Sequence, residues 1–228
     1  MTLPRSHQRE LLDDDGHDPD ELAHSLGQVA TVNAWLGGTR SLTRHLEDLA
    51  SAGPDPVRVL DVGTGNGRTL RGVVAWGRRR GGAWSGVGVD RSPETAVIAA
   101  AEGTRVVRAD GLALPFADGA FDAVLCTLTL HHFRDAEARA LVREMARVSR
   151  ARVLVSDLER SRLHYAGARV LAATLWRGNR LTRTDGPRSV LRSFTPDELL
   201  EIGRDAGLRA PVVERFLPWR LLLAGDAQ

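Results

Sequence analysis

Polar and apolar positions change their period once along this chain. From Asp18 onward, Leu22, Leu26, Val29, Asn33 and Leu36 recur at helical spacing and lie close to one face. Gly37 and Gly38 end that helix, and a second is predicted from about Thr39 to Ala50 with Leu42, Leu46 and Leu49 inward. SAGPDP, residues 51–56, reads as a linker. Beyond it short β-rich runs take over: VRVLDV (57–62), SGVGVD (85–90), TRVVRAD (104–110), DAVLCTL (122–128) and ARVLVSD (151–157). Helical stretches around 68–80, 93–102 and 135–149 separate them. Strand-helix alternation at this spacing predicts a doubly wound, mostly parallel α/β sheet.

Near the end, Thr195-Pro196-Asp197-Glu198 has capping-box spacing with proline at the first helical position, and Gly207 suits the end of that helix. RAPVVERFLP and WRLLLAG then form an antiparallel strand pair, which brings the predicted sheet to seven strands. Residues 161–193 fit no core element and stand where an α/β enzyme inserts a cap. Residues 1–52 are read as an N-terminal helical lid and 53–228 as the main domain. Within the lid, residues 1–17 are polar, with Asp13, Asp14 and Asp15 in a row, and are expected to fray.

Composition narrows the class. A chain of 228 residues buries roughly 70% of its unfolded surface without staples. Its single cysteine, Cys126, cannot form an internal disulfide. No signal-peptide core and no run of ~20 apolar residues is present, so a cytoplasmic protein, monomer or homodimer, is expected. The isoelectric point of 9.4 suggests nucleic acid, yet 31 basic residues face 29 acidic ones. Every basic residue counted is arginine, so a small excess drags the value high.

Candidate chemistry begins at Val59-Leu60-Asp61-Val62-Gly63-Thr64-Gly65-Asn66-Gly67. A buried strand ends in a glycine-rich turn that opens a helix, where backbone approach is close and the helix N-terminus favours an anion. Arg68 stands where the dinucleotide fingerprint has its third glycine. Asp90 and Asp110 close the next two strands, on the sheet edge where ligands bind. Three carboxylates on one rim suit the donors of a nucleoside.

These stretches, with RADGLALPFADGAFDAVLCTLTLHHF and REMARVSRARVLVSD, resemble the class I S-adenosylmethionine-dependent methyltransferases of the methyltransferase 11 or ubiquinone-biosynthesis-like type. The resemblance covers about residues 57–157. It implies a Rossmann-like fold with S-adenosylmethionine as cofactor. By position, Asp61 and the loop Gly63, Thr64, Gly65 and Gly67 would hold the methionine portion. Asp90, beside Arg91, would accept from the ribose hydroxyls. Asp110 with the backbone of Gly111 and Leu112 would bind adenine, and Cys126 and Thr127 would flank the methionine amine. One departure is the gap of 29 positions from Asp61 to Asp90, which holds Arg78-Arg79-Arg80-Gly81-Gly82 and is assigned to a loop behind the sheet.

On the acceptor side the candidate bases are His131 and His132, just after the fourth strand, with Asp157 ending the fifth. Each histidine has a second reading, in which it fixes the turn. His164 and Tyr165 in the cap come next. No metal site is expected, because the sequence shows no CxxC and no acids beside the histidines. Trp35, Leu171 and Trp176 are expected to roof the cofactor, which suits a small aromatic or apolar acceptor: a phenol, a quinone or a polyketide of specialised metabolism. Oxygen is the first expectation for the methylated atom and carbon the second. An RNA methyltransferase is the nearest rival, since Arg177, Arg180, Arg183, Arg188 and Arg192 gather in one segment. Aromatics at 5% and the lack of an NPPY-like motif count against it, so nucleic acid is an unlikely partner. A non-catalytic binding or regulatory protein is the alternative of another class.

Overall fold

The computed structural model describes residues 3–14, 16–216 and 219–227. One sheet of seven strands organises them, in the order β3-β2-β1-β4-β5-β7-β6. The strands are β1 (Val57–Val62), β2 (Trp84–Asp90), β3 (Val106–Arg108), β4 (Phe121–Thr127), β5 (Ser149–Leu158), β6 (Arg209–Phe216) and β7 (Arg220–Asp226). The first five run parallel, while β7 pairs antiparallel with both β5 and β6. The last two residues predicted for the sixth strand, Leu217 and Pro218, lie outside the described residues, as does Asp15.

Alternate side chains of these strands serve two cores. Val153, Val155, Leu221 and Leu223 turn to one face, against α6 (Asp135–Val148) and α9 (Pro196–Asp205). Leu154, Leu222 and Ala224 turn to the other, with Leu42, Leu46, Val73 and Trp84. That second face is covered by α2 (Gly38–Thr43) and α4 (Arg68–Arg78). At ~1.5–3 kcal/mol per buried large apolar side chain, these two layers supply the main driving force. The chain reverses direction across the sheet between β1 and β4, so the loops after those strands meet at the topological switch point.

Several expectations need correction. The second predicted helix is broken: α2 passes through a 3-10 turn, Arg44–Leu46, into α3 (Glu47–Ala52). The break lets Leu42 and Leu46 both bury completely on the sheet. The third strand pairs only over Val106–Arg108, so Asp110 stands beyond it on an exposed turn. Residues 161–193, which matched no core element in the sequence, form the helices α7 (Arg162–Ala173) and α8 (Arg180–Arg192). Gly186 and Pro187 inside α8 disguised its period. Trp35, at the end of α1 (Pro19–Trp35), is 84% exposed and roofs nothing.

The N-terminal segment is the largest correction. Residues 3–14 do not fray; they lie as a strap across α8 and the turn after β4. The Leu11 and Leu12 amides donate to Asp185 at 2.8 and 2.9 Å, and the Ser6 amide donates to the Leu191 carbonyl at 2.9 Å. The Arg5 guanidinium donates to the carbonyls of Arg192 and Phe133. A polar segment ordered this way satisfies its backbone through side chains rather than through a core.

Candidate active site

The glycine loop follows from local chain geometry. Gly63, Gly65 and Gly67 all take positive φ, between 56° and 75°. At Gly67 a Cβ would meet Thr104 Oγ1 at 2.0 Å, and at Gly63 it would meet Thr129 Oγ1 at 2.4 Å, so neither position admits a side chain. Gly65 differs: the nearest atom to its Cβ position is a Leu26 methyl of α1, 4.0 Å away. The loop is therefore packed at both flanks and open at its middle, beneath the first helix. Arg68 donates to Thr31 Oγ1 at 2.9 Å and holds α1 over the loop.

Asp61 lies under this loop, 1% exposed. Its Oδ2 accepts from the Thr64 hydroxyl at 2.9 Å, while its Oδ1 meets no partner among the described residues. Burial, and then the nearby Asp90 charge against the Thr64 bond, push its carboxyl up to about 7. Thr127 Oγ1, two residues past the register partner of Asp61 on β4, is likewise buried without a partner. Two orphaned oxygens on neighbouring strand ends are an acceptor site in search of donors. An ammonium group and hydroxyls supply such donors.

Asp90 is half-buried. It accepts from the Gly65 amide at 3.1 Å and the Ser92 amide at 3.1 Å, although burial still lifts its carboxyl above the usual range. Arg91 beside it is exposed. The exposed Asp110 accepts from the Leu112 amide at 2.9 Å, and Gly111 sits close over Leu141 and Val62. Asp61, Asp90 and Thr64 thus come together around Gly65. The Cys126 thiol does not join them. It is fully buried in the core facing α6, and burial pushes it well above the usual thiol range.

The acceptor side is assembled from distant segments. His131 and His132 occupy a 3-10 turn, Leu130–His132, with ring centroids 4.4 Å apart. Asp157 holds His131 twice, accepting from its amide at 3.0 Å and from Nδ1 at 2.6 Å. Burial raises the Asp157 carboxyl, but the His131 charge and hydrogen bond outweigh it and leave it below the usual range. His132 Nδ1 lies 2.6 Å from Asp13 of the strap. Burial opposes its charge, yet Glu10 and Asp13 prevail and raise it to about 9.

Glu10 is the residue that the sequence did not disclose. It is 3% exposed, with His131 Nε2 at 3.5 Å from Oε1 and His132 Nε2 at 3.9 Å from Oε2. Ser189 donates to Oε2 at 2.8 Å, while Oε1 has no hydrogen-bond partner among the described residues. Arg192 braces the assembly by donating to the carbonyls of His131 and His132 and to Asp13. The expectation of no acids beside the histidines is therefore overturned: Glu10, Asp13 and Asp157 all stand there. Glu10, His131 and His132 offer atoms within 4.8 Å of one another, the kind of set that holds a metal ion. Arg192 Nε lies 3.6 Å from Glu10 Oε1, and that fixed positive charge disfavours a cation at the same carboxylate.

His164 does not join the pair. Its Nδ1 donates to the Glu159 carbonyl at 2.9 Å, its ring stacks on Trp219, and burial lowers it to about 4, so it is neutral near pH 7. Tyr165 is half-buried on α7.

Residues 59–152 match the family model of a methyltransferase domain. A demethylmenaquinone methyltransferase of Roseiflexus castenholzii (strain DSM 13941 / HLO8) is 32% identical over 170 residues, which span 69% of this chain and 70% of that one. Among solved structures, a SAM-dependent methyltransferase from Aquifex aeolicus aligns with a TM-score of 0.65 at 16% identity, over 93% of this chain and 100% of that chain. Human N-acetylserotonin methyltransferase in complex with SAM aligns with a TM-score of 0.63 at 15% identity, covering 92% and 56%. At these identities the structural likeness speaks for the fold.

Proposed function

This chain belongs to the class I S-adenosylmethionine-dependent methyltransferases, and from that premise we propose that it methylates a small aromatic or apolar molecule of specialised metabolism in the cytoplasm, at oxygen first and at carbon second. The observation that carries this reading is His131, buried on the turn after β4, held by Asp157 and facing Glu10 of the strap. The names of the similar proteins agree with it, since one acts on a demethylmenaquinone and another on N-acetylserotonin.

The cofactor, when bound, supplies an electrophilic methyl group on a sulfonium. Asp61 and Thr127, with their unpartnered oxygens, together with the open middle of the loop at Gly65, fit its methionine end. Asp90 fits the ribose hydroxyls, while Asp110 with Gly111 and Leu112 fits adenine. Residues 1–52 act as a lid, with Leu26 over Gly65 and the strap over the histidines. On the acceptor side, His131 takes the proton of an attacking hydroxyl at Nε2 once the strap withdraws Glu10 from that nitrogen. Asp157 fixes its tautomer and stabilises the imidazolium, and Glu10 faces the same nitrogen. A phenol of pKa ~10 is about 0.1% ionised at neutral pH, a deficit of ~4 kcal/mol. A positioned base contributes ~10²–10⁴-fold, so orientation carries the larger share of the rate. Cys126 contributes packing and its backbone.

The test is a calorimetric titration with S-adenosylhomocysteine beside NAD, followed by turnover on a panel of phenols and quinones. Binding of S-adenosylhomocysteine with methylation of a phenol supports the reading. Binding with turnover only on RNA would replace it with the RNA methyltransferase, and binding with no turnover on any class would favour a regulatory protein.

A further inference from the structure

Helix α7 carries apolar residues on both of its sides. His164, Ala168 and Ala172, spaced four apart, turn inward, and Gly167 lets the Trp219 ring approach to within 3.0 Å of where its Cβ would stand. The opposite side presents Leu163, Ala166, Val170 and Ala173, all exposed. Leu163 and Val170 are 68% and 63% exposed, and Leu175, just past the helix, is 64% exposed. A surface helix ordinarily turns polar residues to water, so this outer stripe is out of place in solution.

Charge around the stripe is one-sided. From Ser161 to Thr184 the sequence holds no Asp or Glu, while Arg162, Arg169, Arg177, Arg180 and Arg183 are all exposed. Among the described residues only Arg180 of these five has an ion pair, with Glu21 at 3.5 Å. Elsewhere on the molecule Arg71, Arg80, Arg139, Arg147 and Arg152 meet carboxylates, while the exposed Arg78, Arg79, Arg91 and Arg105 have no ion pair among the described residues. Four arginines without an ion pair among the described residues thus flank the exposed apolar stripe, in a stretch that holds no acid.

We propose that the outer face of α7, with the loop that leads to α8, docks this enzyme on an anionic lipid surface. Such a surface offers hydrocarbon to Leu163, Val170 and Leu175 and phosphate to the arginines at the same time. RNA would satisfy the arginines and leave the stripe in water. A second copy of the chain would cover the stripe but would set arginine against arginine in a two-fold contact. The docking is peripheral, since no helix among the described residues is long and apolar enough to cross a membrane. It goes beyond the methyl-transfer reading and does not depend on it.

The test is co-sedimentation of the full chain with vesicles of equal parts phosphatidylcholine and phosphatidylglycerol, compared with phosphatidylcholine alone. The expected result is binding to the mixed vesicles that weakens with salt and is much weaker on the neutral ones. Arg169→Gln, Arg177→Gln and Arg183→Gln should weaken it about fivefold each. A Leu163→Ser, Val170→Ser and Leu175→Ser triple variant should abolish it. S-adenosylhomocysteine titration of every variant checks that the fold is intact, because these positions lie on the surface. Equal affinity for the two vesicle types, or binding untouched by both sets of variants, would overturn the proposal. So would a serine triple variant that removes only a concentration-dependent dimer, or arginine variants that change only RNA binding.

Discussion

The two halves of the site are held by different physics. Around Gly65 the restraint is covalent geometry: positive-φ glycines packed against Thr104 and Thr129, with Asp90 accepting from the Gly65 amide and Asp61 from the Thr64 hydroxyl. Around His131 the restraint is charge: Glu10, Asp13, Asp157 and Arg192 interlock through side chains brought from the strap, β5 and α8. A half built on backbone draws its shape from chain geometry more than from protonation. A half built on paired charges depends on protonation and on the strap staying in place. The first suits a constant ligand and the second suits a step that moves a proton.

The comparison breaks most sharply at His131. His131→Ala should lower turnover on a phenolic acceptor by ~10²–10⁴-fold while S-adenosylhomocysteine affinity stays near wild type. Wild-type turnover in a folded variant would remove this residue from the mechanism, and equal losses of turnover and cofactor affinity would deny that the halves are separable. Next in size is Arg192→Leu, which removes the guanidinium that donates to Asp13 and to the His131 and His132 carbonyls and faces Glu10, and should destabilise the fold by ~3–5 kcal/mol. Denaturant unfolding measures this, and a change under 1 kcal/mol would mean that the strap is held by its backbone contacts instead.

How far each half could be read in advance follows from the same difference. The loop Gly63–Gly67, Asp61 and Asp90 are legible because β1, its turn and the next strand end are short-range features, and the alternation of runs dictates which edge they share. Glu10 and Asp13 are not legible, because their meaning comes from a contact 119 positions away in the chain, between Asp13 and His132. The one local hint is Leu11-Leu12 inside an otherwise polar segment, a pair out of keeping with a frayed end. The α7–α8 segment was obscured by Gly186 and Pro187, and the exposure of Trp35 by an apolar residue at a helix end, where packing alone decides its side.

On the cofactor side the expected effect is smaller and of another kind. Asp90→Ala should weaken S-adenosylhomocysteine binding by ~1.5–3 kcal/mol through lost hydrogen bonds to the ribose. Unaltered affinity in calorimetry would sink the assignment of Asp90.

The smallest effect sharpens the contrast through pH. His132 is raised from 6.5 to about 9 by the acids of the strap, so its folded form holds a proton that the unfolded chain releases earlier. Its contribution to stability is therefore complete below about 6.5 and is lost as pH rises through about 9. Asp13 is depressed by the same contact, and its contribution is lost only in acid, below its ordinary range. The pair is one interaction seen from two ends, worth ~1.5 kcal/mol, at the low end of charged hydrogen bonds because His132 is part-exposed. Asp13→Asn should remove about that much at pH 7 and flatten the alkaline slope of unfolding stability. The group beneath the glycine loop is Asp61, raised to about 7, so it has finished titrating before His132 loses its proton at about 9, and through that higher step the loop's protection from hydrogen exchange should stay level while that of the strap falls. Parallel loss in both segments would show that the strap and the loop open as one unit.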